Sequence, residues 1–504
     1  MNSKARTGLV TQVALPLTAL LTVLLTMAGC QRTSLPDNGS VKLSRLPTLP
    51  QDPLIQAYFN HSEAAEYLES DRQSKGQSIH RAGDNLEQVM IDAMTQAKLE
   101  IKIAVQEFRL PRMAQALAIA AKNGVKVEIV LENKYSTPYS AISSSPASIL
   151  NDRDRQRYED NKAFIDIDHD GVLSAEEIQT RDALVILDNA KISRRDDISD
   201  GSKGSGLMHH KFMVIDGKTT IVTSANWTTS DLHGDITNPS SLGNANNLVK
   251  IESSDVANAF AQEFDLMYQS RKFKTRKPDR PVQTFMVGDS KLKLHFSPIS
   301  PKKSWTDSSN SLIADTADQA KSSLDLALFV FSDRQLSDRL SALPPRNVTV
   351  RGLFEPGFFR RPYSNSLDML GIPIDSPCRK SSRKKIQQPL GLSDRKSSRK
   401  PKALTSSKPW PIIAASVGVP KLKPGDLLHH KFAIIDRSTV ILGSHNWTTS
   451  GNTKNDETLM VIENKTIAAH YQREFDRLSK DAVLGLPSNA CGVREATPID
   501  SEDS

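Results

Sequence analysis

Two long stretches of this chain are copies of one another, offset by about 220 residues. In the first, Ile91-Asp92-Ala93-Met94-Thr95-Gln96-Ala97-Lys98 runs into the alternating apolar residues Leu99, Ile101, Ile103 and Val105. In the second, Ile313-Ala314-Asp315-Thr316-Ala317-Asp318-Gln319-Ala320-Lys321 runs into Leu324, Leu326, Leu328 and Val330. Each passage changes from a helical to a strand period. A second amphipathic helix and a second strand follow, Val125 to Leu131 in one copy and Val348 to Phe354 in the other, ending at Glu132 and Glu355. The expectation is an α/β fold: two tandem α/β/α domains with parallel or mixed sheets, packed around a shared cleft. Three cysteines in 504 residues provide neither a disulfide framework nor a cysteine-built zinc cluster. A hydrophobic fraction of 38% beside 24% charged residues excludes a disordered chain and a multi-span membrane protein.

The later part of each copy carries the chemistry. The first reads Leu207-Met208-His209-His210-Lys211, then Asp216, then Thr223-Ser224-Ala225-Asn226-Trp227. The second reads Leu427-Leu428-His429-His430-Lys431, then Asp436, then Gly443-Ser444-His445-Asn446-Trp447. A strand (Leu248 to Glu252, or Leu459 to Glu463) and a helix holding Gln262-Glu263-Phe264-Asp265 or Arg473-Glu474-Phe475-Asp476 complete each copy. Residues two apart on a strand share a face, so His209 projects with Lys211 and Ser224 with Asn226, and their counterparts likewise. Packed symmetrically, two His, two Lys, two Ser and two Asn surround one tetrahedral anion. The ammonium groups supply charge, and Ser and Asn donate hydrogen bonds. One imidazole attacks phosphorus and the other protonates the leaving oxygen, then activates water. Alternation turns His210 and His430 away from the cleft. His445, Trp227 and Trp447 read as core, and Asp216 and Asp436 hold the following turn more readily than they act as bases.

The spacing His-x-Lys-x4-Asp followed by Gly-Ser-x-Asn, present twice in register, resembles the phospholipase D superfamily over residues 80 to 480. The resemblance implies phosphodiester cleavage through a covalent phosphohistidine, with no cofactor for catalysis. It marks His209, Lys211, Asp216, His429, Lys431 and Asp436 as the catalytic set, with His209 as nucleophile and His429 as general acid and base. It gives phosphate-binding or orienting roles to Ser224, Asn226, Ser444 and Asn446, and implies an acid after the second motif strand that orients the histidine. Glu457 stands there in copy two and Asn246 in copy one, so the halves are electrostatically unequal. Thr223 replaces a family glycine that Gly443 keeps. Threonine fits a strand, so little loss is expected.

Two insertions and the N-terminus add further expectations. Asp166, Asp168, Asp170, Val172 through its carbonyl, Ser174 and Glu177 have the spacing of an EF-hand loop, with Gly171 at the sharp turn. One structural Ca2+ is expected there, an acidic loop without metal being the alternative. The helix behind it is expected to end near Asp182, before a strand-like Ala183 to Leu187. Between Cys378 and Lys402 stand ten Lys/Arg and one Asp, without which 55 basic residues meet 57 acidic ones. The net charge of +7 is therefore local to this stretch and says little about the cleft. Such a segment attracts anionic lipid head groups, grips nucleic acid, or is a solvated spacer. Whether Cys378 and Cys491 pair is left open. Lys4 and Arg6 precede an apolar run from Leu9 to Ala28, and Met27-Ala28-Gly29-Cys30 is similar to a bacterial lipobox with Met for its usual Leu. Cleavage before Cys30 and lipidation of that residue are expected, a plain secretory signal or single anchor being the alternative. Either outcome exports the protein and holds it at a membrane, on the periplasmic or cell-surface side.

The expected organisation is a leader over 1–29, a tether over 30–79, domain one over 80–275 with the calcium insertion at 151–182, domain two over 285–484 with the basic insertion at 378–402, and a tail over 485–504. A two-domain monomer suffices for catalysis. The leading functional expectation is a phospholipase D-type phosphodiesterase that hydrolyses phospholipid head groups at a membrane. The alternatives are an exported nuclease of the same superfamily, a cardiolipin-synthase-like phosphatidyltransferase (disfavoured because its usual pair of N-terminal spans is not evident), and a non-catalytic calcium- or lipid-binding lipoprotein.

Overall fold

The computed structural model describes residues 45–486 apart from 75–76, 143–151, 199–200, 202–205, 239, 301, 374, 377–378 and 380–407. Cys30, Cys378, Cys491 and nearly all of the basic insertion lie outside the described residues. The strands of half one are β1 (Ile55–Phe59), β2 (Glu66–Ser74), β3 (Gln77–Ala82), β4 (Glu100–Val105), β5 (Lys126–Leu131), β6 (Ser193–Asp196), β7 (Lys211–Ile215), β8 (Thr219–Thr223) and β9 (Asn247–Glu252). All but the β2–β3 hairpin join one sheet in the order β1-β9-β8-β7-β4-β5-β6. Half two contributes β10 (Gln283–Val287), β11 (Ser290–Ser297), β12 (Ser323–Leu328), β13 (Thr349–Phe354), β14 (Ser416–Val419), β15 (Lys431–Ile435), β16 (Thr439–Gly443), β17 (Glu457–Glu463) and β18 (Val483–Leu484). Their order is β10-β11-β17-β16-β15-β12-β13-β14-β18. Both sheets are mixed. Strands β4, β5 and β6 run parallel, as do β12, β13 and β14, while the motif strands β7 and β15 pair antiparallel to β4 and β12.

Alternation along the motif strands explains the layering. In β7, Phe212 and Val214 enter a central apolar cluster, and Met213 and Ile215 enter an outer one. The central cluster joins the inner faces of both sheets through the helices Ser254–Tyr268 and Lys465–Ser479, with Phe260, Phe264, Tyr471 and Phe475 among its members. The outer face of sheet one packs on the helices Leu86–Gln96 and Pro111–Lys122, and that of sheet two on Ser309–Ala317 and Arg334–Leu340. Each repeat therefore buries a private core outside and a shared core inside, which fixes the two halves against each other.

Two expectations need correction. The run Ala183 to Leu187 is a helix, Ala183–Asn189, capped by Asp182, whose side chain accepts from the Leu184 N–H. Five successive apolar residues carry no period of their own; here Ala183, Leu184 and Leu187 fall on one helical face and enter the outer core of half one. The expected tether also contains folded chain. β1 pairs antiparallel with β9 and buries Ile55, Ala57 and Phe59, so half one begins well before residue 80. Ahead of it, Pro47 and Pro50 offer their carbonyls to Arg473 and His470 on the last long helix.

Candidate active site

Each motif lysine begins its strand at the end where β4 or β12 finishes, Lys211 opposite Val105 and Lys431 opposite Leu328. Both lysines are fully buried. The Lys211 ammonium donates to Gln106 Oε1 at 3.2 Å and to the His209 carbonyl at 3.0 Å. The Lys431 ammonium donates to the His429 carbonyl at 2.5 Å and lies 4.9 Å from the centre of the Phe329 ring. Gln106 and Phe329 occupy matching places, since their backbone N–H groups donate to the His210 and His430 carbonyls respectively. The wall beside one lysine is thus polar, and beside the other aromatic.

The two halves exchange the groups that orient their histidines. His209 Nδ1 donates to Glu457 Oε2 of half two at 2.7 Å, and His429 Nδ1 donates to Asn246 Oδ1 of half one at 3.0 Å. The backbone enforces this crossing. Met208 bridges to Asp456 and Ala245 to Leu428, and the His209 and His429 N–H groups donate to the Asp456 and Ala245 carbonyls. The orienting acid of copy two therefore serves the histidine of copy one. An expectation built within each copy could not see this, because the partners lie on different repeats. Each orienter is itself fixed. Ser444 Oγ donates to Glu457 Oε2 and Ser224 Oγ to Asn246 Oδ1, both at 2.7 Å. The same hydroxyls accept the Thr458 and Asn247 N–H groups. Ser224 and Ser444 are thus engaged behind the histidines, in the orienting rather than the phosphate-binding place of the two expected for them. Asn226 and Asn446 are half-buried, and each side-chain carbonyl is without a partner among the described residues.

Electrostatics follow from burying several cations together. Burial pushes the His209 imidazole down to about 4, against the upward pull of Glu457. Burial, then Lys431 and Lys211, hold His429 well below the usual range. Burial alone would raise the Glu457 carboxyl, but His209 and Lys211 overcome it and keep the group below its ordinary value. Lys211 is lowered by burial to about 8, and Lys431 is held well below the usual ammonium range by burial and by Lys211. An arriving anion relieves this penalty, because it favours the protonated forms of the two lysines and of the imidazoles.

The remaining predicted residues fall elsewhere. Asp216 and Asp436 stand beyond the far ends of β7 and β15, about 16 Å of strand from the lysines. Asp216 accepts from the Lys98, Leu99 and Glu100 N–H groups, and Asp436 from those of Lys321, Ser322 and Ser323. Both tie the start of a neighbouring strand, so their place in the catalytic set is corrected to a structural one. His210 bonds Thr458 and Glu263, and His430 bonds Asn247 and Glu474, all in the buried layer between the halves. Trp227 and Trp447 are wholly buried. Thr223 uses its hydroxyl on the Ala225 backbone, which absorbs the departure from glycine. Three features were not anticipated: Glu132 and Glu355 accept the N–H groups of Met208 and Leu428, just ahead of the histidines; Asp231 Oδ1 lies 3.8 Å from His429 Nδ1; and Glu263 and Glu474 anchor His210 and His430. Glu132 and Glu355 were visible as the ends of matching strands, whereas Asp231 carries no signal in its spacing. Of the predicted calcium ligands, Asp166, Asp168, Asp170, Val172 and Ser174 lie between two helices of the insertion in half one, and Glu177 stands in the first turn of the second helix, Ala175–Arg181.

Comparison with known proteins agrees with the duplication. Residues 90–268 and 313–479 each match the family described as "Cardiolipin synthase, PLD-like domain". A mitochondrial cardiolipin hydrolase of Xenopus laevis is 27% identical over 221 residues, 43% of this chain and 84% of that protein. The Xenopus tropicalis protein of the same description is 36% identical over 76 residues, 15% of this chain and 36% of that protein. Among solved structures, phosphatidylserine synthase of Haemophilus influenzae Rd KW20 aligns over 79% of this chain and 85% of its own, with 11% identity and a TM-score of 0.49.

Proposed function

We propose, from the premise that the chain belongs to the cardiolipin synthase PLD-like domain family, that it is a phosphodiesterase acting on phospholipid head groups through a phosphohistidine. The observation that carries this reading is the crossed pair His209–Glu457 and His429–Asn246 beside two buried lysines. His209 Nδ1 is occupied, so Nε2 is the attacking atom. It forms the N–P bond as the bond from phosphorus to the head-group oxygen breaks. His429 hands that oxygen its proton. Water then forms the new O–P bond, its proton passes to His429, and the N–P bond breaks. Lys211, Lys431, Asn226 and Asn446 hold the non-bridging oxygens. Glu457 stabilises the positive charge on the phosphorylated imidazole, which suits the nucleophile. The neutral Asn246 leaves His429 a weaker base and hence a readier acid. The arriving phosphodiester anion raises the proton affinity of His429 and so charges the acid when it is needed. The half-buried Phe329 and Phe358, ring centres 4.9 Å apart with Phe329 also 4.9 Å from the His429 ring, give that side an apolar wall suited to an amphiphile.

The test incubates the protein with phosphatidylcholine or cardiolipin vesicles plus ethanol, and in parallel with single- and double-stranded DNA. Phosphatidylethanol that forms with the intact protein and is absent with His209→Ala supports the reading. DNA cleavage without lipid turnover would make the protein a nuclease of the same chemistry.

A further inference from the structure

The insertion in half one is poorly equipped to fold by itself. Its helix Asp152–Ile165 is almost entirely polar, and Phe164 and Ile165 are its buried apolar residues. Yet the nine residues between it and the helix Ala175–Arg181 are tightly turned. His169 and Gly171 have φ of 60° and 83°. Asp168 Oδ1 accepts from the Asp170 N–H at 3.1 Å, Asp170 Oδ1 from the Val172 N–H at 2.7 Å, and Asp166 Oδ2 from the Gly171 N–H at 3.0 Å. Glu177 folds back over the loop to accept from Ile167 at 2.7 Å and from Ser174 at 2.9 Å. Carboxylate oxygens of Asp166, Asp168 and Glu177 converge within 4.8 Å of one another. At this point Asp166 is only 6% exposed, and its Oδ1 is buried without a hydrogen-bond partner among the described residues. A buried carboxylate oxygen with no partner carries a cost that a cation removes.

The same insertion is linked to the catalytic cleft at one remove. Arg157, on the helix Asp152–Ile165, pairs with Glu107, whose neighbour Gln106 accepts from Lys211. Asp160 accepts from the Thr237 N–H at 2.8 Å and Gln156 donates to Thr237 Oγ1 at 2.7 Å. Thr237 belongs to the loop after the first Ser-x-Asn strand. That loop reaches across to half two, where the Leu242 N–H donates to Asp426 at 2.8 Å and Asn244 accepts from the Leu427 N–H at 2.8 Å. Asp426 and Leu427 lead directly into His429. At the other end, Arg181 lies 4.6 Å above the Phe164 ring and donates to the Phe164 carbonyl, clasping the two helices around the loop.

We propose that the loop Asp166–Glu177 binds one calcium ion, and that the ion seats the helix Asp152–Ile165 against Glu107 and Thr237 and so braces the segment that delivers His429. Asp166, Asp168, Asp170, the Val172 carbonyl and both Glu177 oxygens supply the six oxygens a hard cation of this size requires, with Ser174 adding a water-bridged contact. The ion stands apart from the reacting phosphorus. Its effect on turnover comes through position.

The full chain, stripped on a chelating resin, is titrated with CaCl2 by calorimetry while hydrogen exchange is followed by mass spectrometry. Expected are one ion per chain, affinity weakened by about 10–100-fold or more in Glu177→Gln and in Asp166→Asn, and slower exchange on calcium addition both in 152–177 and in the loop around Thr237. Glu177→Gln keeps an acceptor for Ser174, so loss of binding there reports the lost charge rather than a lost helix cap. Absence of binding by the intact chain at millimolar calcium, or unchanged binding in both variants, overturns the site. Binding that slows exchange only within 166–177 overturns the coupling to the cleft. These readouts need no turnover, so they stand or fall independently of the phosphodiesterase reading.

Discussion

Behind His209 stands a carboxylate and behind His429 an amide, and the proposed division of their work rests on this difference. Replacing Asn246 by Asp places an anion at His429 Nδ1. An anion favours the imidazolium, so the proton is held to higher pH and the alkaline limb of kcat/KM moves upward. The acid limb, set by His209, stays where it is. A pH profile of Asn246→Asp that moves both limbs or neither would remove Asn246 as the partner that tunes the acid. Replacing Glu457 by Gln keeps the shape and removes the charge. A positioning carboxylate behind a catalytic histidine contributes up to about 10⁴-fold, so a loss of kcat of about 10²–10⁴-fold is expected in single-turnover assays. His429→Ala is expected to cost at least as much. A variant with near-native turnover would show that the second imidazole is not needed.

Among the elements, β16 and its counterpart β8 end differently. Gly443 closes β16 with φ of 137°, and a Cβ there would meet the Thr458 carbonyl oxygen at 2.2 Å. Gly443→Ala is therefore expected to destabilise the protein by about 1–3 kcal/mol. Thr223→Gly, at the matching place on β8, removes the buried hydroxyl that accepts from the Ala225 N–H and is expected to cost about 1–3 kcal/mol through that lost bond rather than through backbone strain. Urea midpoints at unchanged slope measure both. The comparison also shows what a sequence can and cannot disclose about such elements. The motif histidines and lysines were legible because strand alternation and repetition are local patterns. The Glu457–His209 contact spans 248 residues and crosses repeats, so no local period encodes it. The engagement of Ser224 and Ser444 was hidden for the same reason, since their acceptors sit on other strands. Ala183 to Leu187 misled because an unbroken apolar run suits helix and strand alike until its neighbours are known. β1 was missed because five residues flanked by prolines and polar side chains hardly announce a strand, though Ile55, Ala57 and Phe59 do alternate.

For the molecule as a whole, burying so many neutral imidazoles has a thermodynamic consequence. His61, His209, His295 and His445 are all held down to about 4, in each case chiefly by burial. As pH falls from about 6.5 toward 4, the unfolded chain takes up protons at these sites and the folded protein does not, so stability falls. Asp84 and Glu132 act oppositely. Burial raises them to about 6 and about 8, so the folded state keeps protons that the unfolded chain has released, and that contribution grows as pH falls. His210, His429, His430 and His470 are lowered as well, against Asp426 as one further raised carboxyl, so the balance is destabilising on acidification, at up to about 1.4 kcal/mol per pH unit for each net proton. Thermal melts followed by circular dichroism should show Tm declining steadily from pH 6.5 to 4.5; a flat or rising Tm would mean that the histidines are not buried neutral. The crossed bridges Met208–Asp456 and Ala245–Leu428 lead to a different kind of consequence. Two identical subunits related by a twofold axis would be obliged to place the same side chain behind both imidazoles, because symmetry copies every residue. Covalent joining of the repeats lifts that obligation. Within one gene product, joining the repeats is what lets one half hold glutamate and the other asparagine, so that the two imidazoles need not share one environment.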